Sequence, residues 1–185
     1  VRAASVSSPS ATALADSGTH SALRVENGGD INVLGTVMSA TGPDISAYFD
    51  TVDRIANITI GTGAYFVANA DDTLLLVERV NGGSNGIVNL VIDNGGLGTD
   101  KTITGNIIDD PALLTGDGRT NVTVAEGSAW SGRTDAASFT IAAGGSAFFE
   151  EGSKINGNLT LEAGAVVNGA TTSEALEVLG DGVFE

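Results

Sequence analysis

The sequence contains no cysteine and a single histidine, His20, which excludes disulfides, thiolate metal sites, histidine-rich zinc centres and histidine-based catalytic triads. Proline is scarce at 3 residues, aromatics make up 5%, and 8 basic residues face 23 acidic ones. The resulting net charge of −15 and pI near 4.1 repel phosphate backbones and anionic headgroups, so nucleic acid is not expected as a partner. No apolar run approaches the ~20 residues of a membrane helix. The densest aliphatic one, Leu74 to Val77, has four residues, and direct membrane insertion of this segment is not expected.

What the chain does have is glycine, 26 residues of it, and 42% hydrophobic residues against 17% charged. With a mean hydropathy of +0.18 this is a folding, turn-rich, all-β composition. A length of 185 residues makes one domain the natural expectation. The chain opens at Val1 and ends at Phe184-Glu185 after a strand-like run, so it reads as a piece of a longer protein. Residues 1–21, small and polar without a sustained period, read as a flexible lead-in or a first-turn segment, with His20 facing solvent and given no role. Residues 22–185 read as the folded domain.

A repeat organises that domain. Its unit is an apolar residue, a polar or β-branched one, an apolar one, two variable positions, then glycine. Copies start at Leu23, Ile58, Leu90, Val122, Phe139 and Leu159, with a weaker one at Leu176, giving spacings of 35, 32, 32, 17, 20 and 17. The long spacings suggest doublets of a step near 17, with Leu74-Leu75-Leu76, and Ile103-Thr104-Gly105 or Ile107-Ile108, standing where diverged copies are due. Alternation within each copy predicts strands with one face buried, and the glycine predicts the turn. A step this short leaves no room for a βαβ unit, which takes about 30 residues or more. The expected fold is therefore a single-stranded parallel β-helix, or β-solenoid, of roughly nine to ten rungs in a rod on the order of 45 Å long. One short helix is expected over 44–56, where Ile45, Tyr48, Phe49, Val52 and Ile55 fall on one helical face behind Pro43.

The phrases Leu23-Arg-Val-Glu-Asn-Gly-Gly-Asp-Ile-Asn-Val33 and Gly157-Asn-Leu-Thr-Leu-Glu-Ala-Gly-Ala-Val-Val-Asn-Gly169 resemble passenger domains of Gram-negative autotransporters and related surface adhesins. The likeness covers residues 22–185 and lies in repeat texture rather than in a signature motif. It implies a right-handed β-helix at the bacterial outer-membrane surface or secreted beyond it. The implied partners are extracellular matrix, host or bacterial cell surfaces, or further copies of the chain.

Candidate chemistry is sparse. Gly95-Gly-Leu-Gly-Thr-Asp100 matches a single calcium-binding nonapeptide string, making Asp100 and Asp93 the calcium candidates. Calcium rolls need consecutive copies, so the expectation is a plain glycine turn and no cofactor. Adjacent carboxylates at Asp71-Asp72, Asp109-Asp110 and Glu150-Glu151 raise the alternative of a carbohydrate-active β-helix enzyme, with Asp109, Asp110 and Arg119 the residues to test. Neighbours on a strand point to opposite faces, so no catalytic pair is expected. Thr59, Thr123, Thr140 and Thr160 share one phase of the repeat. Such a column underlies ice binding in some β-solenoids, but Arg24, Val91 and Glu177 interrupt it and threonine suits exposed strands anyway. Asn57, Asn121 and Asn158 form sequons at another shared phase, which the repeat itself explains. Trp130, Tyr65, Phe66, Phe148 and Phe149 are too scattered for a sugar-stacking platform and read as inward or edge packing, with exposure the alternative for Trp130 beside Ser131 and Gly132.

Overall fold

The computed structural model describes residues 4–6, 12–14, 21–38, 42–50, 54–67, 72–79, 86–95, 102–109, 119–170 and 176–184. Among them the chain is all-β, with no helix. It runs through β1 (Ala4–Val6), β2 (Thr12–Leu14) and β3 (Leu23–Glu26), then β4 (Gly29–Val33), β5 (Thr36–Met38) and β6 (Ile45–Phe49). The next circuits are β7 (Ile55–Ile60), β8 (Tyr65–Val67) and β9 (Thr73–Arg79), and β10 (Ile87–Ile92), β11 (Ile103–Thr104) and β12 (Asn106–Asp109). A short one follows in β13 (Thr120–Val124) and β14 (Ala129–Gly132). The last strands are β15 (Ser138–Ile141), β16 (Ser146–Phe149), β17 (Ser153–Ile155), β18 (Leu159–Leu161), β19 (Val166–Gly169), β20 (Leu176–Val178) and β21 (Gly182–Phe184).

Every pairing among the described residues is parallel, and partners lie one circuit apart in sequence rather than next to each other. The largest sheet has eight strands in the order β1-β4-β7-β10-β13-β15-β18-β21; smaller sheets run β2-β5-β8, β11-β14-β16-β19, β12-β9-β6-β3 and β17-β20. Along the large sheet Ala4, Ile31, Ile58, Leu90, Val122, Phe139, Leu159 and Gly182 stand in register, so successive circuits take 27, 27, 32, 32, 17, 20 and 23 residues. The doublet reading is thus corrected. The two 32-residue spacings each join neighbouring strands of the large sheet, which has eight strands among the described residues where nine or ten rungs were expected. Leu74-Leu75-Leu76 belongs to β9 in another sheet, as Ile107 belongs to β12. The copies at Leu23 and Leu176 likewise lie in β3 and β20, outside the large sheet.

The glycine of the unit closes a four-residue turn after the large-sheet strand. Ala64, Ser128, Gly145 and Ala165 donate their N–H to the carbonyls of Gly61, Ala125, Ala142 and Glu162 at 2.9–3.0 Å. Gly63, Gly127, Gly144 and Gly164 hold the third position at φ between +66° and +94°, a region that a Cβ disfavours.

The expected helix over 44–56 is not there. Ile45, Ala47 and Phe49 are fully buried along β6, which pairs with β3 and β9, and Ile55 already begins β7. Two flanking strands satisfy the backbone, and that pairing overrides a helical spacing that Tyr48 completes only because its ring lies outside, 4.6 Å from the Arg24 guanidinium. Residues 51–53 lie outside the described residues.

Inward side chains pile into columns: Ile31, Ile58, Leu90, Val122, Phe139 and Leu159 form one, and Val33, Ile60, Ile92, Val124 and Ile141 form another. The 17-residue circuit has no third strand of its own; Thr134 alone bridges to Ile107. Aromatic volume fills this part of the core. Trp130, Phe139 and Phe149 are buried with ring centroids 5.0–5.6 Å apart, tilted or edge-on. Trp130 is therefore inside, only 1% exposed, in line with inward packing and against the exposed alternative. Its indole N–H finds the Gly105 carbonyl at 3.1 Å, which makes burial of that polar group tolerable.

Candidate functional site

Polar chemistry is concentrated in two places. The first is the outward face of the eight-stranded sheet. Parallel pairing in register sets Asp30, Asn57, Asn89, Asn121 and Ser138 into one column, since side chains two apart along a strand share a face. Hydrogen bonds run its length. Asn57 Nδ2 donates to Asp30 Oδ1 at 2.9 Å, Asn89 Nδ2 to Asn57 Oδ1 at 3.0 Å, and Asn121 Nδ2 to Asn89 Oδ1 at 3.1 Å; Ser138 Oγ donates to Asn121 Oδ1 at 2.8 Å. Asn158 holds the same phase one residue before Leu159, and its Oδ1 accepts the Asp181 N–H at 3.1 Å.

Two residues further along each strand, Asn32, Thr59, Val91, Thr123, Thr140, Thr160 and Val183 make a second outward column. Arg24 and Glu177, expected to interrupt it, lie elsewhere: Arg24 pairs with Ser46 in β6 and Glu177 with Lys154 in β17. Val91 does interrupt the threonines, between Thr59 and Thr123. Asn89 and Ser138 escaped the sequence reading because neither begins a sequon; their phase, one residue before Leu90 and Phe139, was the available signal.

The second place is a buried ionic corner. Arg79 and Asp109 occupy inward positions in register with Phe49 and Val77, and both are buried. Arg79 Nη1 donates to Asp109 Oδ1, Arg79 Nε donates to the Gly86 carbonyl at 2.8 Å, and the guanidinium lies 5.9 Å from the centre of the Phe49 ring. Asp109 Oδ2 accepts the backbone N–H groups of Arg119 at 2.8 Å and Thr120 at 3.0 Å, while the Asp109 N–H donates to Asp135 Oδ1 at 2.5 Å. A Cβ on Gly86 would run into the Phe49 ring, so only glycine fits beside the pair. Both oxygens of Asp109 are engaged by donors of the fold, an arrangement that holds strands together rather than one that exchanges protons with a substrate. Arg79 went unnoticed in the sequence although it shares the inward phase of Leu75 and Val77.

Burial pushes the Asp135 carboxyl up to about 6, and the nearby Asp109 carboxylate adds to the rise; the Asp109 N–H and Arg133 oppose it. Its pKa thus lies above the ~3.9 of an unfolded aspartate, so this group stabilises the fold while protonated and loses that contribution as pH rises from about 4 through about 6. Asp135→Asn keeps an oxygen for the Asp109 N–H without the charge. We expect its urea midpoint to exceed the parent's at pH 7.5 and the two to converge near pH 4. A difference independent of pH would refute this.

Of the residues that the sequence singles out, Asp93 is exposed directly after β10, whereas Asp100 lies outside the described residues, as do Asp71, Asp110 and His20. Asp109 and Arg119 do meet, but through the backbone N–H of Arg119. Asp72, Glu150 and Glu151 are exposed. Among the described residues no three acidic or histidine side chains gather as a metal cage. No protein-family model, curated protein or solved structure matches this chain.

Proposed function

We propose that the chain is one β-solenoid, three strands to most turns and about 34 Å along its eight layers at the usual strand spacing, and that it works as a non-enzymatic extracellular surface protein. In this reading it resembles an autotransporter passenger: an adhesin or a self-associating rod at the bacterial outer-membrane surface, meeting matrix, cells or its own copies and using no cofactor. The observation that carries it is the parallel eight-stranded sheet whose outer face presents ordered polar columns. Solenoids bind through such extended surfaces rather than through pockets. The acidic, cysteine-free composition supports the same reading.

A filament subunit is the alternative that a specific feature favours, because Val166, Val167, Leu179, Val183 and Phe184 are exposed apolar side chains, Phe184 to 76%. The enzyme alternative, a polysaccharide lyase or hydrolase, has no comparable support. Binding of the purified chain to matrix-coated wells and to whole cells, with light scattering over a concentration series, tests the reading. Saturable adhesion or reversible association is expected. A protein that stays monomeric, adheres to nothing and releases reducing or unsaturated sugars from a polysaccharide would overturn it.

A further inference from the structure

We propose that the outward face of the eight-stranded sheet is a track for a linear, uncharged polysaccharide lying along the stack of strands. The inference rests on the surface-protein reading and names the partner of that face.

Charge selects the class of polymer. In a chain of net charge −15, neither outward column carries a charged side chain from Asn57 to Ser138 or from Asn32 to Val183. A polycation would find a single anion, Asp30 at one end of the ladder, and a polyanion would be repelled by the molecule around the track.

Hydrogen-bonding capacity selects polyols. Each ladder asparagine uses one N–H and one acceptor site on its neighbours, which leaves the second N–H and another lone pair for an outside partner. A planar amide so held can meet two adjacent hydroxyls of a sugar at once. The hydroxyls of Thr59, Thr123, Thr140 and Thr160 offer both donor and acceptor roughly 7 Å away, two residues along each strand. Between and beside these groups Val91, the threonine methyls, the exposed Ile55 and the half-buried Ile87 supply apolar area for the C–H face of a sugar ring.

Shape selects a chain over a single sugar or a planar lattice. The polar groups recur at the strand spacing of about 4.8 Å in two narrow columns. The ladder orders the amides before any partner arrives, so little side-chain freedom remains to be lost, and weak contacts add along the track.

Affinity electrophoresis through gels containing hydroxyethylcellulose, a linear mannan or polygalacturonate tests this. Retardation by at least one uncharged polymer, and none by polygalacturonate, is expected. Asn89→Asp, which places a charge in the ladder, should abolish the retardation. Thr123→Val and Thr140→Val, nearly isosteric, should each weaken it about 3- to 10-fold, the loss of one hydrogen bond. Far-ultraviolet circular dichroism and urea midpoints establish that each variant folds; should Asn89→Asp fail, the two threonine variants decide. The inference is overturned if no uncharged polymer retards the protein, if polygalacturonate does so equally, or if the variants migrate as the parent does. Adhesion to cells or matrix that persists without any polysaccharide binding would sink the track and leave the surface-protein reading standing.

Discussion

Asp109→Ala should destabilise the protein by about 3–5 kcal/mol, because it breaks a buried ion pair with the Arg79 guanidinium. The loss reaches further than the ion pair. Asp109 also receives the N–H groups of Arg119 and Thr120, which open β13, so its removal frees two donors where one circuit hands over to the next. Urea unfolding monitored by Trp130 fluorescence measures the change, and a loss below about 1 kcal/mol would show that the corner tolerates loss of the pair or fills with water. The paired replacement Arg79→Met with Asp109→Leu should recover much of the loss, since removing both charges also removes both desolvation costs. If the double variant is no more stable than Asp109→Ala alone, the backbone donors, and not the broken ion pair, dominate.

Phe139→Ala should cost a comparable amount, about 3–5 kcal/mol, for a different reason. The Phe139 ring is fully buried, with centroids 5.3 Å from Trp130 and 5.0 Å from Phe149. It follows the short circuit in which an isolated bridge at Thr134 stands in place of a third strand, and its removal leaves a cavity between the two remaining rings. The control is Phe148→Ala, next to buried Phe149 but on the outer face, for which a loss of about 1 kcal/mol or less is expected. Equal losses at 139 and 148 would mean that the inward and outward assignments of β15 and β16 are wrong.

These two sites differ in how far the sequence disclosed them. Phe139 sits at the apolar first position of a repeat copy, and its burial follows from the period of two. The ionic corner was hidden, because Arg79 and Asp109 stand 30 residues apart in circuits of unequal length, and nothing local marks either as the other's partner. The asparagine ladder lies between these cases. Three asparagines at one phase were visible as sequons, yet their mutual contact depends on register, and Asn158 proves to meet Asp181 instead of joining the amide chain.

Alternation of apolar and polar residues, with glycine where the turn needs a positive φ, was enough to determine short strands with one buried face, and the recurrence of that unit at short steps pointed to parallel pairing. How many layers there are, and which copies stack, was decided only by the tertiary structure. Loop-closure entropy grows slowly with length, so circuits of 17 and 32 residues close on the same sheet at similar cost. Spacing along the chain therefore does not reveal which strands will touch. The same freedom let pairing with β3 and β9 draw residues 45–49 into a strand despite their helical spacing.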